Sequence, residues 1–213
     1  GAQRRLAVQL RGDSDDALRA LARFRPCPRH EWIALGSGLS VRFLRAGHII
    51  GSSIVQLMFE AVKGEGSRNV TFSGDLGNGR SLTLRPPESV DETDVLVIES
   101  TYGDRLHPSG DALPKLAEIV RRTFARGGVL VIPAFAVGRA QEVTYMLRLL
   151  EDQRKIPSVP VVLDSPMANA AMEVFLKHTE DHVLDFGPGV NGDRGASNFL
   201  PRQFSVASSP DES

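Results

Sequence analysis

The chain has 213 residues, 41% of them hydrophobic, with 25 basic against 26 acidic side chains and a formal net charge of -1. That is enough to bury a core as one large domain or two small ones, and the near-neutral balance gives bulk electrostatics no hold on a nucleic acid, while leaving room for a local basic groove. Cys27 is the single cysteine, which excludes an intrachain disulfide framework and a cysteine-rich zinc knuckle. With no apolar run near the ~20 residues of a bilayer span and no signal-peptide pattern in Gly1–Arg5, a reducing cytoplasmic setting and no membrane partner are expected.

In chain order, Asp13-Ser-Asp-Asp16 can cap a short amphipathic helix with Ala17, Leu18, Leu21 and Ala22 on one face, ended by Pro26-Cys-Pro28. Trp32–Leu35 leads through Gly36-Ser-Gly38 to a strand with Leu39, Val41 and Phe43 inward and Ser40 and Arg42 outward. His48 follows, flanked by glycines, before a strand over Ile54–Val62 with Val55, Leu57, Phe59 and Ala61 on one face. After a polar turn over Lys63–Asn69, Val70–Phe72 runs into Ser-Gly-Asp75, where Gly74 permits a tight turn. A Gly- and Pro-rich loop then leads to Val95–Ile98, closed by Glu99. His48, Asp75 and Glu99 all stand where a strand gives way to a loop, the position at which α/β folds tend to place their chemistry.

Beyond Glu99 the rhythm changes to strand and helix in alternation. A helix capped by Asp111, with Pro114 in its first turn and Leu113, Leu116, Val120 and Phe124 inward, stops at Gly127-Gly128. Val129–Pro133 reads as a strand, and the next helix carries Ala140, Val143, Leu147 and Leu150. Val159–Leu163 is a further strand, followed by the helix Met167–His178 with Ala168, Ala171, Met172 and Phe175 apolar. Such alternation argues for parallel βαβ units, so the expected fold class is α/β. From Asp185 the sequence turns Gly- and Asn-rich, with no closing element expected. The pair His178 and His182 is read as surface, its intervening glutamate one place off the zinc-protease spacing.

An imidazole and a carboxylate at converging strand ends suit zinc, and a carboxylate can bridge two ions. Two ligands do not hold one, however, and no His-x-His pair supplies the rest. Here the blocks Ala46-Gly-His-Ile-Ile-Gly-Ser52, Phe72-Ser-Gly-Asp75, Glu99-Ser-Thr-Tyr-Gly-Asp-Arg105, Pro133-Ala-Phe-Ala-Val-Gly-Arg-Ala-Gln141 and Asp164-Ser-Pro166 resemble, in order, motifs of the β-CASP metallo-β-lactamase-fold RNA-processing nucleases. The resemblance implies part of a metallo-β-lactamase αββα sandwich over residues 1–107, followed by part of an inserted β-CASP parallel α/β domain over 108–213. His48 would bind one zinc and Asp75 would bridge two. Glu99 would orient a histidine that protonates the leaving group, Arg139 and Ser165 would face the substrate cleft, and His107 would be loop scaffolding.

The family's His-x-His-x-Asp-His motif and its later β-CASP histidines are absent between Gly1 and Ser213. The expectation is therefore an internal fragment, inactive alone, of a protein that hydrolyses single-stranded RNA with two zinc ions, the oligomeric state being left open to a homodimer. Two other readings stand beside it. One is a non-catalytic β-CASP paralogue that serves as an RNA- or partner-binding scaffold, and the other a lactamase-fold hydrolase of small esters.

Overall fold

A computed structural model describes residues 14–61, 66–106, 110–183 and 198–207; His107 lies outside them. The first half is a five-stranded sheet in sequential order, β1 (Ile33–Gly36), β2 (Leu39–Arg45), β3 (Ser53–Phe59), β4 (Arg68–Phe72) and β5 (Val95–Val97). The first four strands pair antiparallel and β5 joins β4 in parallel. Consequently β2, β4 and β5 run in one direction and end at one edge. A short helix, α1 (Ser14–Leu21), precedes the sheet, with Leu18 and Leu21 exposed.

Direct cross-strand partners share a face. The rows Val41, Leu57, Val70, Val95 and Phe43, Val55, Phe72, Val97 therefore make the middle of one face apolar, between Arg68 at one end and the Arg45–Ser53 pair at the other. The period-2 pattern names this face as the inward one. In the structure Val41 on that face is buried, but the more deeply covered face is the other, where Leu44 and Ile54 pack with Ala46 under Leu76 and Val90 of the following loop. Gln56 and Thr71, each 1% exposed, are buried there in a polar chain. The Arg42 guanidinium, stacked 4.7 Å over Trp32, donates to Gln56 Oε1 at 3.0 Å. Gln56 Nε2 donates to Thr71 Oγ1 at 3.2 Å, and Thr71 donates to Thr93 Oγ1 at 2.9 Å. These bonds offset the penalty for burying Gln56 and Thr71, whereas Asn69 Oδ1 on the same face is buried with no partner among the described residues. Arg42, expected to point to solvent, is part of this chain.

The second half contains α2 (Ala112–Ala125), α3 (Arg139–Asp152), β6 (Pro160–Leu163), α4 (Pro166–Lys177) and β7 (Gln203–Val206). Asp111 accepts from Leu113 N to start α2, as expected from its sequence. Ala117, Val120, Leu147, Leu150 and Ile156 form one core between α2 and α3, and Leu84, Met172, Phe175 and Phe199 form another under α4. Phe124, expected inward, is exposed, and Thr123 takes the buried place on that helix. β6 and β7 pair in parallel, so a strand closes this unit where none was expected. Val129–Pro133, expected to be a strand, makes no ladder with any described residue. Val129 and Val131 are 87% and 79% exposed. Among the described residues no helix is long and apolar enough to cross a membrane.

Candidate active site at one edge of the sheet

Because β2, β4 and β5 end together, the segments leaving them are neighbours. β2 leads into a turn closed by Ala46 N donating to Ser52 O at 3.0 Å, and Ser52 Oγ accepts from His48 N at 3.0 Å. β4 leads through Gly74, whose φ of 56° is the left-handed conformation its sequence suggests, to Asp75. The loop beyond Asp75 lies directly on the His48 turn. Gly77 N donates to Ala46 O at 2.9 Å, and a Cβ on Gly77 would sit 1.8 Å from Gly47 O, so only glycine permits the approach.

β5 locks the same loop from the other side. Ser73 N donates to Val97 O at 2.9 Å, Glu99 N donates to Ser73 Oγ at 3.0 Å, and Glu99 Oε1 accepts from Leu76 N at 2.6 Å. Glu99 thus grips the residue after Asp75. The Leu76 N–H, then hydrogen bonds from Thr101 and the nearby His48, hold the Glu99 carboxyl below its ordinary range, so it is ionised at neutral pH. His48 and Asp75 are exposed and Glu99 is half-buried, which leaves the imidazole and the carboxylates open to solvent on a fixed backbone.

Imidazole nitrogen and carboxylate oxygen suit zinc in kind. Among the described residues, however, no three His, Cys, Asp or Glu side chains lie close enough together to hold an ion. His48 and Asp75 can offer a metal part of a ligand set, short of the roughly three protein ligands per ion of a catalytic zinc site.

The start of α3 abuts this edge, since a Cβ on Gly138 would sit 3.1 Å from Ile49 Cγ2, but no described contact joins the Arg139 side chain or Ser165 to His48, Asp75 or Glu99. Arg139 opens α3 and pairs with Glu142 one turn on. Ser165 caps α4, its Oγ accepting from Ala168 N at 3.2 Å. His178 is on the surface as expected, 3.1 Å from Glu180. His182 is not. It is 1% exposed, stacked on Phe175 with ring centroids 4.1 Å apart, and its carbonyl accepts from Arg85 Nε at 2.8 Å. Burial pushes its pKa down to about 4. The i, i+4 spacing hid this because α4 stops at Lys177 and a 3-10 turn, Thr179–Asp181, swings His182 back into the core.

Sequence reasoning also missed Asp181 and Arg29, which pair in a half-buried setting across 152 positions. The signal available was Arg29, four positions before the start of the first strand, and nothing local marks its partner.

The Beta-Casp domain family matches residues 140–213. A ribonuclease of Thermus thermophilus is 39% identical over 162 residues, covering 76% of this chain and 36% of the relative. Transcription termination factor FttA of Methanosarcina mazei is 37% identical over 161 residues, 73% of this chain and 24% of the relative. Cleavage and polyadenylation specificity factor subunit 3-I of Arabidopsis thaliana is 26% identical over 204 residues, 94% of this chain and 28% of the relative. The chain thus spans 24–36% of the length of these relatives. With its α/β architecture and the ordered motifs at the sheet edge, the chain belongs to the β-CASP family of RNA-processing nucleases.

Proposed function

We propose that the full-length protein hydrolyses phosphodiester bonds of single-stranded RNA in the cytoplasm, and that this chain supplies His48 and Asp75 to a two-zinc centre completed by residues outside those described here. The observation that carries the proposal is the convergence of three strand ends. His48, Asp75 and Glu99 leave β2, β4 and β5 at one edge and are tied together through Ala46, Gly77, Leu76 and Ser73. Zinc, when bound, supplies Lewis acidity and an activated water for attack on phosphorus.

The chain's own residues act on geometry and charge. The Ala46–Ser52 turn presents the His48 ring to solvent on a backbone that the Gly77 contact keeps from moving. Asp75 projects from a loop whose position the Glu99 carboxylate fixes through Leu76 N. The ionised Glu99 has a second oxygen with which to accept from an imidazolium, the arrangement needed to hold a general acid toward a leaving oxygen. Arg139, exposed at the start of α3, is a suitable phosphate contact, whereas Ser165 already uses its hydroxyl as a cap.

The test is cleavage of a labelled single-stranded RNA, with zinc content measured alongside, for full-length wild type, Asp75→Ala and His48→Ala. Loss of at least about a hundredfold in kcat together with loss of zinc supports the proposal. Retained cleavage in Asp75→Ala refutes it, and RNA binding without cleavage or zinc in the wild type favours a non-catalytic scaffold instead. Sedimentation of the same preparations decides whether the protein is a homodimer.

A further inference from the structure

The two halves of the chain meet at the turn that carries His48. Ile50 of that turn packs with the α4 core of Leu84, Met172, Phe175 and Phe199. Beside it the Thr179–Asp181 turn is pinned to the first half by its backbone, since Arg85 N donates to Asp181 O at 2.8 Å and Val183 N donates to Thr83 O at 3.0 Å. The Asp181 side chain is 6% exposed and takes both ends of the Arg29 guanidinium, with Nη2 at 2.6 Å from Oδ2. Its Oδ2 also accepts from Gly51 N at 3.2 Å. A planar guanidinium gripping both oxygens fixes the plane of the carboxylate, and so aims Oδ2 at the Gly51 N–H. Gly51 stands three residues after His48, inside the turn closed by Ser52.

We propose that Asp181 is a positioning residue for His48: oriented by Arg29, it anchors the Gly51 amide and thereby sets the His48 ring on the β-CASP half of the chain. The metal site of one half is in this way adjusted by the packing of the other. Nothing in the ion pair alone requires this, because a bond that only joined the two halves could leave Gly51 untouched. The inference rests on the reading of His48 as a metal ligand, and the experiment separates the two.

Full-length protein is stripped of metal and titrated with cobalt(II), whose visible spectrum reports ligand geometry, at a temperature well below unfolding. Asp181→Asn is expected to weaken cobalt affinity about tenfold, in the range typical of groups that orient metal ligands. The spectrum at saturating cobalt should change, and kcat should fall while KM for RNA stays near its wild-type value. Arg29→Met is expected to give the same spectral change, and Arg29→Lys, which keeps a cation on Asp181, to recover most of the affinity. A lower Tm in Asp181→Asn with wild-type affinity and spectrum would overturn the proposal, leaving only a structural ion pair. Should Asp181→Asn not fold, an unchanged spectrum in Arg29→Met overturns it. His48→Ala is the control on the underlying reading. If cobalt stoichiometry, affinity and spectrum are all unchanged by it, His48 is not a ligand and the metal assignment falls. If His48→Ala loses the cobalt spectrum and Asp181→Asn does not alter it, only the positioning inference falls.

Discussion

The sheet half and the helical half of this chain differ in how completely their apolar residues are covered. In the helical half the apolar clusters are closed, with Leu150 and Phe199 fully buried and Phe175 beside them, stacked on the buried His182. In the sheet half the most deeply buried places on the strands go to Gln56 and Thr71, while Val95 and Val97 on the apolar face are half exposed. A helix needs only one apolar stripe against a neighbour, and a mostly antiparallel sheet can leave a face in water, but an apolar sheet face contributes to stability only where it is covered. In the sheet half the exposure falls on β5, where Leu96 is as open as Val95 and Val97, while Val41 on their face is buried. The half is organised by its hydrogen-bonded edge, and that edge is where His48, Asp75 and Glu99 sit.

Core truncation breaks this contrast most sharply. Leu150→Ala should destabilise the chain by about 2–5 kcal/mol, the usual cost of a large-to-small change in a closed core. Val97→Ala should cost less than about 1 kcal/mol, because the side chain is already half in water. Chemical denaturation of both variants checks this. A Val97 cost rivalling that of Leu150 would mean the apolar face is covered.

The second test uses pH. Burial depresses the His182 pKa to about 4, outweighing the opposite pull of Asp181 and Glu180. Between the ordinary histidine pKa near 6.5 and about 4 the unfolded chain binds the proton and the folded chain does not. Stability should thus be full above about pH 6.5 and fall as pH drops toward 4, by roughly 3 kcal/mol. Melting curves across that range should lose most of this slope in His182→Phe. Asp181 adds a smaller acid dependence at lower pH. Burial alone would raise its pKa, but the Arg29 pair and the Gly51 N–H outweigh it and hold the pKa down, so its contribution is lost only as the carboxylate protonates.

Smaller still is the cap on α4. Ser165→Ala removes the acceptor for Ala168 N and should cost about 1 kcal/mol, read from the shift in denaturation midpoint. Arg139→Ala should change stability by less than about 1 kcal/mol, since its pair with Glu142 is largely solvated. If Arg139 touches RNA phosphate, the same variant of the full-length protein raises KM and flattens the salt dependence of binding.

Much of the edge was legible in the sequence because strand ends and glycines are local signals. Alternation marked β2 and β3, and the glycines around His48 and before Asp75 marked the turns that carry them. What alternation cannot show is which face of a strand is covered. Val55 and Leu57 looked inward and Gln56 outward, yet Gln56 is buried because Arg42 and Thr71 satisfy its amide. The stretch Val129–Pro133 has strand composition, but pairing needs a partner strand, and the described residues supply none. β7 failed in the opposite way, being four residues of mixed polarity whose strand character comes from pairing with β6, 43 positions away along the chain (Gln203 against Pro160). Asp181 and Arg29 are joined only by the tertiary fold, and a sequence read locally cannot join them.

The central claim is that His48, Asp75 and Glu99 act as one unit. Single-turnover cleavage of RNA by full-length His48→Ala, Asp75→Ala, Glu99→Gln and the double variant His48→Ala/Asp75→Ala tests it most directly. A single shared site predicts strong non-additivity, the double variant being little slower than the worse of its two single variants. If the losses multiply, the residues contribute independently and the edge is not one active site.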